Sequence, residues 1–95
     1  MTILDNVKAA LRLTTAAFDD LELAPMIDAC KTDLRLAGVR SIDDKDPLIV
    51  RAVVLYAKAH FGFDELADRY QRTYDLLKAS LALSYEYGGG PANES

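Results

Sequence analysis

A chain of 95 residues has room for one domain around a single core, and a hydrophobic share of 51% argues against a disordered segment. Eleven Lys and Arg against fifteen Asp and Glu leave a net charge of −4, a poor fit to a protein that grips nucleic-acid phosphates with a basic face. This balance does not exclude a protein that merely surrounds DNA, where a weakly repulsive wall lets a polyanion slide.

Thr2, with Asp5 three residues on, forms a capping pattern that opens the first predicted helix. Ile3, Val7, Ala10 and Leu11 repeat at helical spacing, so this helix covers about residues 3 to 12 and ends at Thr14 and Thr15. No basic stretch followed by an apolar one occurs at this end, so a signal peptide is not expected and synthesis in the cytoplasm is.

A second helix is predicted from about Phe18–Asp19 to Ala37, with Leu23, Met26, Ile27, Cys30, Leu34 and Ala37 as its core stripe. Asp19, Asp20 and Glu22 load its start with negative charge, and Lys31 and Arg35 sit near its end, both favourable against the macrodipole. Gly38 closes it. Pro25 conflicts with this span, because a proline inside a helix removes a hydrogen bond and clashes with the carbonyl four residues back. Either the helix starts near Ala24 or it is kinked there; the expectation is a kink or a break.

Residues 38–46 form a loop. Residues 47–61 are the most apolar run in the chain, interrupted only by Arg51, Lys58 and His60. Asp46 before Pro47 is a strong helix start, and Gly62 supplies a stop. This run exceeds usual strand length and falls short of the roughly twenty residues a bilayer span needs, so it reads as a central helix packed by others. After a short linker at Gly62–Phe63, with Asp64 as N-cap, a last helix is predicted from about 65 to 83. Its core face carries Leu66, Tyr70, Thr73 or Tyr74, Leu77 and Leu81, and Glu65–Arg69 and Asp68–Arg72 are spaced as intrahelical ion pairs. The whole reads as an all-α, small four-helix bundle-like domain over residues 1–87, followed by a flexible C-terminal tail over 88–95.

The residues capable of chemistry have simpler readings. His60 is the only histidine, and one cysteine cannot close an internal disulfide. Cys30 falls on an apolar stripe, where a buried inert thiol is expected, and a reducing compartment suits it. Asp43, Asp44 and Asp46 lack the glycine and terminal glutamate of a calcium loop, and capping and solvation explain them more simply. The Gly88–Gly90 run lacks the Lys-Ser/Thr of a phosphate loop. Asp19, Asp20 and Glu22 have no visible pocket or positive partner to split their pKa values. No enzyme, no cofactor and no metal site is therefore expected. Tyr85 and Tyr87, at the edge of the tail, stand where aromatics serve either a protein interface or simple packing on the end of the bundle.

Three segments together resemble the head–tail connector (adaptor) proteins of tailed bacteriophages and prophages, also called DNA-packaging connector proteins. They are residues 3–13 (ILDNVKAALRL) with Phe18-Asp-Asp after them, 46–62 (DPLIVRAVVLYAKAHFG), and 70–83 (YQRTYDLLKASLAL) before 84–87 (SYEY). The likeness lies in helix lengths, order and apolar positions rather than in a catalytic signature, and Pro25 departs from it. It implies a non-enzymatic virion protein at the head–tail interface. Such a subunit forms a homo-oligomeric ring, expected to be a dodecamer, beneath the portal protein. The ring extends the DNA channel and docks the stopper or tail-completion protein. DNA passes through without sequence-specific binding, and no membrane is involved. On this reading Arg51, Lys58, Arg69, Arg72, Tyr85 and Tyr87 are the candidate interface residues; for the cations the rival is a solvated face with intrahelical pairs. The competing class is a small helical protein–protein interaction or regulatory module, which has the same composition; a DNA-binding helical domain ranks below both.

Overall fold

The computed structural model describes residues 2–11, 22–61 and 66–88. They form α1 (Ile3–Leu11), α2 (Ala24–Ala37), α3 (Pro47–Phe61), α4 (Ala67–Leu83) and α5 (Tyr85–Gly88), with no strand among them. The fold is all-α.

Local chemistry accounts for the ends of these helices. The Asp5 N–H donates to Thr2 Oγ1 and the Thr2 N–H to Asp5 Oδ2, both at 3.1 Å, so α1 opens on the reciprocal cap its sequence predicts. Pro25 does not kink α2. It is the second residue of the helix, in the first turn, where a missing N–H loses no intrahelical partner. Glu22 and Leu23 lie in a wider π-type turn that delivers the chain to it. At the other end Gly38 takes φ 110°, and the N–H groups of Gly38 and Val39 return to Arg35 and Leu34. Asp46 caps α3 by accepting from the N–H groups of Leu48 at 2.8 Å and Ile49 at 3.4 Å.

The centre of the molecule is α3. Ile49, Ala52, Val53, Leu55 and Ala57 are buried, and α1, α2 and α4 all pack against it. From the first helix Ile3 and Val7 join this core, from the turn before α2 Leu23, from α2 Ile27, Cys30 and Leu34, and from α4 Tyr74 and Leu81. Fully burying one such aliphatic side chain contributes about 1.5–3 kcal/mol. Helix α4 runs antiparallel to α3, with Lys58 against Tyr70, Tyr56 against Tyr74 and Asp46 against Tyr87. It runs parallel to α2, with Cys30 against Tyr74, Asp33 against Lys78, and Gly38 beside Ala82.

Three expectations are corrected. Ala37 is exposed and Met26 half-buried, so the core stripe of α2 is narrower than its apolar pattern. Leu66 is 41% exposed, just outside the start of α4. Gly88, expected to begin the tail, is the last residue of α5 and is buried; a Cβ there would run into the Ala82 carbonyl. The expected breaks at Thr14 and Thr15, the acidic pair Asp19 and Asp20, the linker at Gly62–Phe63, the cap at Asp64 and the tail over 89–95 lie outside the described residues.

Placing a carboxylate at the buried Leu55 strands a charge with no partner, at a cost of several kcal/mol against a typical total of roughly 5–15 kcal/mol. Leu55→Asp is expected to abolish the cooperative helical melt followed by circular dichroism; an unchanged melting temperature would show that α3 is not the core.

Candidate assembly interface

Two polar clusters hold the helices in place. In the first, the Tyr74 hydroxyl donates to Asp33 Oδ2 at 2.7 Å and the Lys78 ammonium donates to the same oxygen at 2.8 Å. The Cys30 thiol donates to Tyr74 Oη at 3.7 Å, and Lys78 Nζ lies 5.0 Å from the centre of the Tyr74 ring. Tyr56 meets Tyr74 edge-on, with ring centres 5.2 Å apart, and packs against His60 at 4.2 Å. A tyrosine deep in the core thus has its hydroxyl satisfied by the one carboxylate that reaches it. Burial pushes the Cys30 thiol up to about 11, so at neutral pH it is a protonated, unreactive group. Burial, then the hydrogen bond to Asp33, raises the Tyr74 hydroxyl above its ordinary value. Burial alone would lift the Asp33 carboxyl, but the bonds from Lys78 and Tyr74 outweigh it and hold the group below its ordinary 3.8.

In the second cluster the Tyr87 hydroxyl bonds the Asp46 carboxylate at 2.8 Å. The N–H groups of Arg40 and Ser41 donate to the Tyr87 carbonyl at 2.7 and 3.1 Å. Ser84, extended between α4 and α5, accepts the Tyr87 N–H on its hydroxyl at 3.0 Å. The hydrogen bond from Tyr87 holds the Asp46 carboxyl below its usual range. One carboxylate therefore caps α3 and anchors α5. The neighbouring acids of the loop are similarly engaged: Asp43 accepts from the Lys45 N–H, and Asp44 pairs with Lys31 at 2.6 Å. No group of carboxylates, thiols or imidazoles able to hold a metal occurs among the described residues.

The six sequence candidates are placed differently from one another. Arg51 is exposed on α3. Lys58 is half-buried, with its ammonium 5.2 Å from the centre of the Tyr70 ring, so part of its charge is used within the subunit. Arg69 and Arg72 are both exposed on α4. Asp68 and Arg72 form no ion pair among the described residues. Tyr85 is 70% exposed, whereas Tyr87 is half-buried in the clasp on Asp46.

Residues that sequence reasoning missed complete the outer face of α4. Leu76 and Leu83 are 71% and 84% exposed, and their seven-residue spacing puts them on one stripe with Arg69, Arg72 and Ala79. The signal was in the pattern. Once Tyr74, Leu77 and Leu81 turn inward, Leu76 and Leu83 must turn outward. Two large apolar side chains are thus aligned on an open helix face, with cations at one end of the stripe.

The sequence model of the phage connector protein family matches residues 3–88. The chain belongs to that family. No curated protein and no solved structure matches it. As a phage connector it has a structural role as a component of the virion, with partners among the structural proteins of the particle. The inert thiol and engaged carboxylates of this connector fit such a role. No helix among its described residues is long and apolar enough to cross a membrane.

Because the folded Asp33 carboxyl lies below its unfolded value of 3.8, its contribution to stability is present above pH 3.8 and is lost as pH falls through the folded value. Asp33→Asn should lower the melting temperature at pH 7 and flatten the acid limb below pH 3.8. Melting curves with the same acid slope below pH 3.8 in both proteins would remove Asp33 from this account. Cys30 should resist a thiol reagent in the native connector and react at once in denaturant; fast labelling of the native protein would contradict its burial.

Proposed function

We propose that this connector is the ring-forming subunit at the head–tail junction, seated beneath the portal protein, extending the DNA channel and docking the stopper or tail-completion protein. The observation that carries the reading is the outer face of α4, where Leu76 and Leu83 stand open to water on a small subunit whose own core is already filled. A monomer gains nothing from exposing them; a subunit that meets copies of itself buries them.

Two further features support the reading. The chain carries a net charge of −4, so a channel built from it repels a polyanion weakly and lets it pass. The polar side chains of the interior are spent on holding helices together, which suits a rigid part better than a catalyst.

The test is to examine the full chain alone and mixed with the portal protein of the same phage, by native mass spectrometry and negative-stain electron microscopy. Rings of the chain are expected, twelve subunits by the family resemblance, with weak binding to duplex DNA. A chain that stays monomeric or dimeric in both conditions would overturn the proposal and favour a regulatory interaction module. Tight, steeply salt-dependent binding to duplex DNA would count equally against it.

A further inference from the structure

Helices α2 and α4 are neighbours, parallel, and locked in height. Cys30 is bonded to Tyr74, forty-four positions on, and the same spacing sets Gly38 beside Ala82. Asp33 then bridges Tyr74 and Lys78, which prevents the two helices from sliding. Residues at this spacing therefore lie level along the subunit. Asp28 is level with Arg72, and Leu36 is level with Ser80, midway between Leu76 and Leu83.

Each helix also turns a face away from the core. On α2 that face carries Asp28, Ala29, Thr32 and Leu36, all exposed, with Leu36 open to 83%. On α4 it carries Arg72, Leu76, Ala79 and Leu83. Neither Asp28 nor Arg72 has an ion-pair partner within the described residues. The two faces match in kind and in height: an acid level with a base, and one large leucine level with the gap between two others.

We infer that the outer face of α2 in one copy of this chain seats on the outer face of α4 in the next, with Asp28 against Arg72 and Leu36 between Leu76 and Leu83. The occupant of each face is a second copy, because each face supplies what the other lacks. Rotation about an axis running along these helices preserves height, so the levels within one subunit become the contacts between two. The contact is head-to-tail, using different patches on the two sides, which is the kind that closes into a ring. Like charges brought level across it would oppose association, which fixes the register. The inference rests on the ring reading above and adds to it which faces meet.

The test uses surface variants that leave the core untouched, with circular dichroism to check that each is folded. Asp28→Arg alone and Arg72→Asp alone should each abolish rings in the assay described above, and the two changes in one chain should restore them. Leu36→Asp and Leu83→Asp should each block one face. Neither should assemble alone, yet an equimolar mixture should give a discrete heterodimer through the one intact pair of faces. Rings of the wild type that persist in all four single variants would overturn the face assignment and leave the connector reading standing. Loss of assembly in the charge variants with no recovery in the double variant would also overturn it, as would a mixture that stays monomeric. A wild type that forms no ring with or without portal would remove both readings.

Discussion

An apolar helix has to be covered, and everything else in this small protein follows from covering α3. Its fifteen residues include five that are buried and further valines and a tyrosine packed at the margin of the core. No single neighbouring helix can cover a surface that runs most of the way round a cylinder. Three helices do it here, and the few polar groups that must find partners inside fix how α2 and α4 sit against each other. The energy comes from the aliphatic side chains, while the uniqueness of the arrangement comes from the polar ones.

Those polar groups work as locks between elements. Tyr74 is too deep to be hydrated, so its hydroxyl must be bonded, and Asp33 on a different helix does so while Lys78 neutralises the carboxylate. A slide of one turn between α2 and α4 would leave a buried hydroxyl and a partly buried charge unsatisfied. The Asp46–Tyr87 clasp acts likewise at the other end, tying the start of α3 to the short helix that ends the described chain. Rigid register is what a building block needs, because small errors in each subunit accumulate around an assembly. Family membership and this division of labour agree: the Cys30 thiol is buried and protonated, and Asp33 and Asp46 are engaged in holding helices together.

The boundaries of α1 and α3 were legible because their signals are local. Thr2 with Asp5, and Asp46 with Pro47, act through their own backbone within one turn. The central position of α3 was legible because its hydrophobicity leaves no polar face to show to water. At Pro25 the sequence left two readings, a start near Ala24 or a kink or break; α2 starts at Ala24 after the wider turn at Glu22–Leu23, and the stretch before Glu22, where a second piece would lie, is outside the described residues. The sequence left Tyr87 between an interface and packing on the bundle end; its bond to Asp46 was not legible, because that partner is forty-one residues away and already had a complete role as a helix cap.

By itself the amino-acid order determined the helical class, the buried axis and the likeness to a phage connector, because periodicity, capping and apolar content are properties of neighbouring residues. Only tertiary structure decided which acids are spent inside and which leucines are left outside. Asp33 and Asp28 look alike in the sequence, as do Leu77 and Leu76. Packing α2 against α4 in one register turns the first of each pair inward and the second to water, and it is the second kind that a partner can reach.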